Sequence, residues 1–104
     1  MNSSEFRLYL LGLIRRLQPE AYGVSIYRAV KDETGRNVSF GTLYLHLDML
    51  EREGLVESYL APGGPERGFR EKRYYRPTDA GKRIVIPGKP VKGWTLPDLG
   101  VEPA

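Results

Sequence analysis

Hydrophobic residues recur at helical spacing in three segments of the first half of the chain. Residues 3–18, 22–34 and 40–54 each place apolar side chains three and four positions apart, which is the spacing of one face of an α-helix. The boundaries carry matching signals: Ser39 is a favourable N-cap, and Gly35 suits the position just after a helix end. The pattern predicts three helices, and the short connection between the last two is typical of a helix-turn-helix.

The third helix divides into a buried and an exposed face. Phe40, Leu43, Leu47 and Leu50 recur at the spacing of a buried stripe. His46 flanks this stripe, and we interpret it as a structural residue and not as a catalyst. The remaining positions are predicted to point outward, namely Gly41, Thr42, Leu45, Asp48, Met49 and Arg52.

After Gly54 the period changes from helical to alternating. Residues 55–60 (LVESYL) and 71–76 (EKRYYR) are short and rich in β-forming residues, and a glycine- and proline-rich loop separates them, so they predict a β-hairpin. Thr78 suits the N-cap of a short helix over residues 79–85. Four of the eight prolines follow in residues 87–104, which favours an extended tail.

The predicted fold is a winged helix-turn-helix, mainly α within the α+β class. It has a three-helix core, a two-stranded β-wing, a short fourth helix and an extended C-terminal tail. A chain of 104 residues leaves room for one domain. We expect that domain over residues 1–86 and the proline-rich tail over residues 87–104.

The first helix carries more apolar residues than one face accommodates. Leu8, Tyr9 and Leu11 lie outside its main stripe. A helix that is apolar on more than one face needs more than one surface to bury it. It is either a central core helix or half of a dimer interface to which Trp94 of the tail contributes. The other role for Trp94, lining a small-molecule effector pocket, has no support elsewhere in the chain.

Composition excludes several classes of protein. The chain has no cysteine and one histidine, so it forms no disulfide, has no thiol nucleophile and lacks the ligands of a Cys/His zinc site. It has no phosphate-cradling G-x-x-x-x-G-K-[ST] motif and no nucleophile–His–acid set, so we expect neither enzymatic activity nor a cofactor. No apolar run reaches the roughly 18 residues of a membrane span, and the N-terminus resembles an amphipathic helix more than a signal peptide. A cytoplasmic protein is therefore expected.

Positive charge is concentrated in the second half of the chain. Residues 1–57 contain seven basic and eight acidic side chains, whereas residues 58–104 contain nine basic and five acidic ones, which gives net charges of −1 and +4. Such a basic region is either a solvated face or the electrostatic footprint of a protein that binds a polyanion such as DNA. The basic residues of the predicted hairpin and its loop are Arg67, Arg70, Lys72, Arg73 and Arg76.

Four segments together resemble the PadR-like transcriptional regulators, over residues 8–83. They are LGLIRRLQPEAYGVSIYRAV, SFGTLYLHLDMLEREGLVES, the basic wing, and KRYYRPTDAG at its end. The resemblance implies a cytoplasmic DNA-binding regulator that is usually a dimer and often responds to small molecules. This chain differs in having Leu45 where proline is common, Asp48 and Met49 where basic residues are frequent, and a proline-rich tail instead of a long C-terminal helix.

The third helix is expected to contact DNA through its N-terminal half. Residues 39–46 contain no acid, whereas the C-terminal half of the helix has a net charge of −2. Free N–H groups at a helix N-terminus also attract phosphate. For Ser39 and Tyr44, capping and packing are equally good interpretations, and Leu45 is suited to a thymine methyl group. The predicted contacts are Ser39, Gly41, Thr42, Tyr44 and Leu45.

In the wing, alternation places Lys72, Tyr74 and Arg76 on one face of the second strand and Arg73 and Tyr75 on the other. One face must cover the core. Not all of the basic residues can therefore touch DNA, and we expect the tyrosines chiefly to pack and the loop arginines chiefly to contact DNA. The predicted wing contacts are Arg67, Arg70, Lys72 and Arg73.

Two functions are weighed. The first is a sequence-specific regulator of transcription, expected to be a repressor, that binds double-stranded DNA as a homodimer. The second is a protein-interaction module that has lost DNA binding and holds a partner through the outward residues Leu45 and Met49.

Overall fold

The computed structural model describes residues 3–65, 68 and 70–86, with side chains from residue 5 onward. Its elements are α1 (Ser3–Leu17), α2 (Gly23–Thr34), α3 (Phe40–Arg52), β1 (Val56–Ala61), β2 (Lys72–Pro77) and α4 (Asp79–Arg83). This is the predicted order, and the winged helix-turn-helix is confirmed. The predicted tail, residues 87–104, lies outside the described residues.

Three helix boundaries carry the signals that the sequence predicts. The Ser39 hydroxyl caps α3 by accepting a hydrogen bond from the Thr42 amide at 3.1 Å. Thr78 caps α4 by accepting one from the Gly81 amide, also at 3.1 Å. Gly35 ends α2 with φ 74°, a left-handed conformation that glycine adopts without steric cost. Local signals therefore determine where α3 begins.

The hydrophobic core is built around α1, which packs against α2, α3 and β2. Burial of large apolar side chains from all these elements supplies the main driving force for folding. The completely buried side chains include Phe6, Leu10, Leu11, Leu13, Ile14, Ile26, Leu47 and Leu50.

The second apolar face of α1 is buried within the same chain. Leu11 has no exposed surface, and a β-carbon at Gly81 would lie 3.5 Å from its Cδ1 atom, so Gly81 of α4 lies against this side of the helix. Tyr9 is also buried, and its hydroxyl donates a hydrogen bond to a carboxylate of α2 at 2.9 Å. The prediction that Tyr9 and Leu11 lie in a dimer interface is therefore wrong, since α1 is a central core helix. Leu8 is half-buried, and Trp94 lies outside the described residues.

Phe40 departs from the predicted buried stripe of α3, since its side chain is 43 % exposed. As the first residue of the helix it lies at the edge of the core, where it stacks on Tyr27 of α2 with ring centroids 4.4 Å apart. His46 is buried instead, with its ring edge-on to Phe6 at 5.2 Å. The buried face of α3 is thus turned from Phe40 toward His46.

The wing is an antiparallel hairpin whose register pairs Val56 with Pro77 and Ala61 with Lys72. Its base is attached to the helical core, because the amide of Tyr75 donates a hydrogen bond to the carbonyl of Ala21 at 2.8 Å. This attachment determines how the wing is oriented with respect to α3.

Candidate nucleic-acid interface

The N-terminal turn of α3 exposes two hydroxyl groups and a glycine. The hydroxyl of Ser39 donates to that of Thr42 at 3.0 Å, in addition to capping the helix. Among the residues that the structure describes, a β-carbon at Gly41 would meet nothing closer than the Ser39 hydroxyl oxygen at 4.0 Å, so their packing does not require glycine here. The missing side chain leaves the backbone of this turn accessible from solvent, which suits a contact with a phosphate group.

The outward stripe of α3 presents an apolar side chain and then an ion pair. Leu45 is 57 % exposed. Further along the helix, the carboxylate of Asp48 lies 3.1 Å from the guanidinium of Arg52. Both partners are exposed, so the pair adds little to stability. Its main effect is to cancel two opposite charges on this face.

Tyr44 lies on the side of α3 that faces the beginning of α2. Its ring centroid is 6.3 Å from that of Phe40, and its hydroxyl occupies the space that a β-carbon at Gly23 would need. A side chain at position 23 would have to displace the Tyr44 hydroxyl, so glycine leaves room for this ring between α2 and α3. Tyr44 is nevertheless 42 % exposed, so it combines a packing role with an accessible edge.

Neighbouring elements compensate the acidic C-terminal half of α3. Glu51 accepts a hydrogen bond from the Ser58 hydroxyl of β1 at 2.9 Å. Glu53 forms an ion pair with Arg7 of α1 at 3.7 Å. The helix sequence alone therefore overstates the negative potential that this end of α3 presents to solvent.

The core-facing side of β2 connects the wing to α3. Tyr75 is buried there, and burial raises its pKa to about 12. Arg73 shares this side and donates a hydrogen bond to the Ser58 hydroxyl at 2.9 Å, which in turn donates to Glu51. Arg73 is exposed, but its guanidinium is held toward α3 by this Arg73–Ser58–Glu51 chain.

The opposite side of β2 carries a row of tyrosine rings with a cation at each end. Tyr74 lies between Tyr22 and Tyr59, with ring centroids 5.4 and 5.7 Å away. The ammonium of Lys72 is 4.0 Å from the centre of the Tyr22 ring, and the guanidinium of Arg76 is 5.0 Å from that of Tyr59. Such cation–π contacts hold long side chains in place while leaving them charged.

The other predicted wing contacts have different surroundings. Arg70 is exposed in the segment before β2. Arg67 lies outside the described residues. Arg76, which was not predicted to contact DNA, forms an ion pair with Glu57 at 2.6 Å.

A chain of contacts joins the exposed part of α3 to the outer side of the wing. Tyr44 contacts Gly23, the next residue toward the N-terminus is Tyr22, and Tyr22 packs on Tyr74 and Lys72. We call these five residues, of which Gly23 is buried, the α3–wing contact chain. The sequence pattern placed residue 22 within the second predicted helix and did not show that Tyr22 joins α3 to the wing. The sequence offers one indication of this role: Tyr22 immediately precedes α2, and an N-cap residue has a non-helical backbone.

In the ranges that the structure describes, no three His, Asp or Glu side chains lie close enough to hold a metal ion. Over the same ranges, no helix has both the length and the apolar character needed to cross a bilayer.

A sequence model of the transcriptional regulator PadR-like family matches residues 10–85. Among solved structures, Bacillus subtilis PadR in complex with operator DNA matches this chain with a TM-score of 0.61 and 29 % sequence identity. The match covers 75 % of this chain and 42 % of that protein, so the chain spans less than half the length of its relative. No curated protein sequence matches the chain significantly.

Proposed function

Because the chain belongs to the PadR-like family of transcriptional regulators, we propose that it binds double-stranded DNA sequence-specifically and represses transcription. In this proposal α3 enters the major groove with its N-terminal half, and the wing lies along the flanking backbone. The protein acts in the cytoplasm, as a regulator without enzymatic activity or a cofactor.

One observation carries the proposal: the α3–wing contact chain joins Tyr44, in the second turn of α3, to Lys72 of a cationic wing. Phosphate contacts supply affinity and orientation, whereas base contacts supply specificity. The wing offers Arg70 and Lys72 for the first task. The first two turns of α3 offer exposed side chains for the second.

Each predicted contact then has a defined role. Ser39, Gly41 and Thr42 approach a phosphate group through hydroxyls and backbone. Tyr44 and Leu45 face the bases or the sugar edge. Along the wing, the backbone contacts are Arg67, Arg70, Lys72 and Arg73.

A homodimer follows from the same proposal, because two copies of α3 read half-sites about one helical turn apart. With Tyr9 and Leu11 buried, the candidate contacts that remain are Leu8 on α1 and Trp94 in the tail. Sedimentation of the full chain and of a chain truncated after Val85 tests this. Unchanged dimerisation of the shorter chain would remove Trp94 from the interface.

The competing function, a module that binds a protein partner, is favoured by the exposure of Leu45. Met49 does not support it, because it is only partly exposed and its sulfur accepts a hydrogen bond from Arg7 at 3.7 Å. The flat apolar area on α3 is thus smaller than the sequence suggested.

Fluorescence polarisation with duplexes from the chain's own promoter region tests DNA binding. If two protomers together neutralise about 6–8 phosphates, log K falls with log salt at a slope of roughly −5 to −7. No binding at low salt, or binding indifferent to sequence, would contradict the proposal.

Charge reversal separates the two functions. Arg70→Glu should weaken duplex binding about tenfold or more, because a phosphate contact becomes a repulsion. Lys82→Glu is the matched control, since Lys82 is an exposed cation of α4, beyond the base of the wing. A protein partner held through Leu45 would remain bound to the Arg70→Glu variant.

A further inference from the structure

The accessible half of α3 lacks the side chains that usually specify guanine and adenine. Arginine and lysine recognise guanine in the major groove, and asparagine and glutamine recognise adenine. Residues 39–46 contain none of these four residue types. The hydrogen-bonding groups of this half that reach solvent are mainly hydroxyls, and hydroxyls discriminate weakly between bases.

Two of these hydroxyls are already engaged. Those of Ser39 and Thr42 bond to each other, and Ser39 also caps the helix. Farther along, the guanidinium of Arg52 is paired with Asp48 on the same helix. A base contact by any of these groups therefore has to replace an existing hydrogen bond or ion pair.

Leu45 differs from its neighbours. It is 57 % exposed and lies on the outward stripe between Gly41 and the Asp48–Arg52 pair. Phe40 and Tyr44 are also partly exposed, but one side of each ring is stacked on a neighbouring ring. Leu45 is consequently the large apolar group of α3 that is most open to a ligand.

We infer that α3 recognises its operator through the 5-methyl groups of thymine, with Leu45 as the specificity-determining residue. The inference rests on the proposed function and names the DNA that fits this surface: half-sites that present thymine to the second turn of α3. The thymine methyl is the apolar group displayed in the major groove, and the minor groove does not display it. Contacts by the wing in the minor groove or with phosphates are therefore insensitive to it.

Replacement of thymine by deoxyuridine removes this methyl group and leaves base pairing unchanged. Duplexes are first selected from a random library with the full chain, and each dT of the selected half-site is then replaced by dU. One or two positions per half-site should each lose about fourfold in affinity, which corresponds to roughly 0.8 kcal/mol for one buried methyl-sized group.

Leu45→Ala identifies the side chain responsible. This variant should bind the dT and dU duplexes with equal affinity, because the methyl group has lost its apolar partner. Leu60→Ala is the matched control: Leu60 is 51 % exposed, but it lies on β1 of the wing. It should retain the full fourfold difference between the two duplexes.

Three outcomes overturn the inference, and they are distinguishable. If wild-type protein binds selected duplexes but no dU replacement matters, methyl recognition is wrong and DNA binding stands. If Leu45→Ala keeps the fourfold difference, another residue contacts the methyl group. If the library yields no binding duplex, the proposed function fails together with the inference.

Discussion

The outward face of α3 and the outer side of the wing differ in how they use polar groups. On α3, the hydroxyls of Ser39 and Thr42 are bonded to each other, Asp48 and Arg52 are paired, and a leucine is exposed. On the wing, Lys72 is held over a tyrosine ring and keeps its charge. One region is nearly neutral and apolar, and the other is cationic.

Because of this difference, α3 and the wing are expected to contribute to DNA binding in different ways. A neutral, apolar helix face contributes little to the salt-dependent attraction of DNA but can distinguish bases that carry a methyl group. A cationic wing attracts any DNA backbone. Variants of α3 should therefore change sequence preference, whereas variants of the wing should change affinity for all sequences alike.

The largest effect is expected beneath the exposed face of α3. Leu47 is completely buried, two residues from Leu45. Leu47→Ala should lower the free energy of unfolding by about 2–5 kcal/mol, because it leaves a cavity in the core. Leu45→Ala should change it by less than about 0.5 kcal/mol. Urea denaturation measures both, and similar losses would show that Leu45 is not the exposed residue described here.

A second test uses the pH dependence of stability. Burial, with a smaller contribution from Arg7, lowers the pKa of His46 below its usual value, and its Nδ1 atom has no hydrogen-bond partner among the described residues. As the pH falls, His46 is therefore protonated at a higher pH in the unfolded chain than in the folded chain. The contribution of His46 to the free energy of unfolding should be fully present above about pH 6.5. It should be lost as the pH falls toward the folded-state pKa, by at most about 1.4 kcal/mol per pH unit.

The matched control is His46→Leu, which removes the single histidine of the chain. Thermal melts between pH 7.5 and 5.5 should show a smaller pH dependence for this variant than for the wild type. Identical pH dependence of the two proteins would exclude His46 as its source.

The third prediction concerns Lys72 in the wing. Lys72→Gln should weaken binding to every duplex about fivefold per contact at 0.15 M salt and reduce the salt slope by about 0.9. Leu45→Ala should leave the slope unchanged. Polarisation titrations at four salt concentrations measure both quantities, and a change in sequence preference for Lys72→Gln would break the division between the two regions.

The smallest effect is expected where the wing meets α3. The Arg73–Ser58–Glu51 chain is exposed, so its hydrogen bonds should contribute about 0.5 kcal/mol. A double-mutant cycle with Ser58→Ala and Arg73→Ala measures their coupling. Additive losses of stability would mean that Arg73 does not hold the wing toward α3.

Much of the fold could be predicted because its signals are local. The caps Ser39 and Thr78, the glycine at position 35 and the change of period after Gly54 all act within a few residues. Alternation along β2 correctly separated buried Tyr75 from Lys72 and Tyr74. The DNA contacts proposed from this pattern stay predictions. Arg67, which is one of them, and Trp94, a predicted dimer contact, lie outside the described ranges.

The predictions that failed depended on contacts between residues that belong to different elements of the fold. Periodicity placed Phe40 in the buried stripe. Phe40 is the first residue of α3 and lies at the edge of the core, where its ring stacks on Tyr27 at the surface. The helical period also showed that α1 has two apolar faces without showing what covers each one. Leu11 lies against Gly81 of α4, seventy residues later in the chain.

The amino-acid sequence by itself determined the kinds and order of the elements, the caps that delimit them and the uneven distribution of charge, because each depends on neighbouring residues or on composition. Only the tertiary structure decided that Tyr9 and Leu11 belong to the core, that Arg73 turns toward α3, and that Tyr22 joins α3 to the wing. These outcomes depend on contacts between residues far apart in the chain, and such contacts exist only once the helices and the hairpin have packed together.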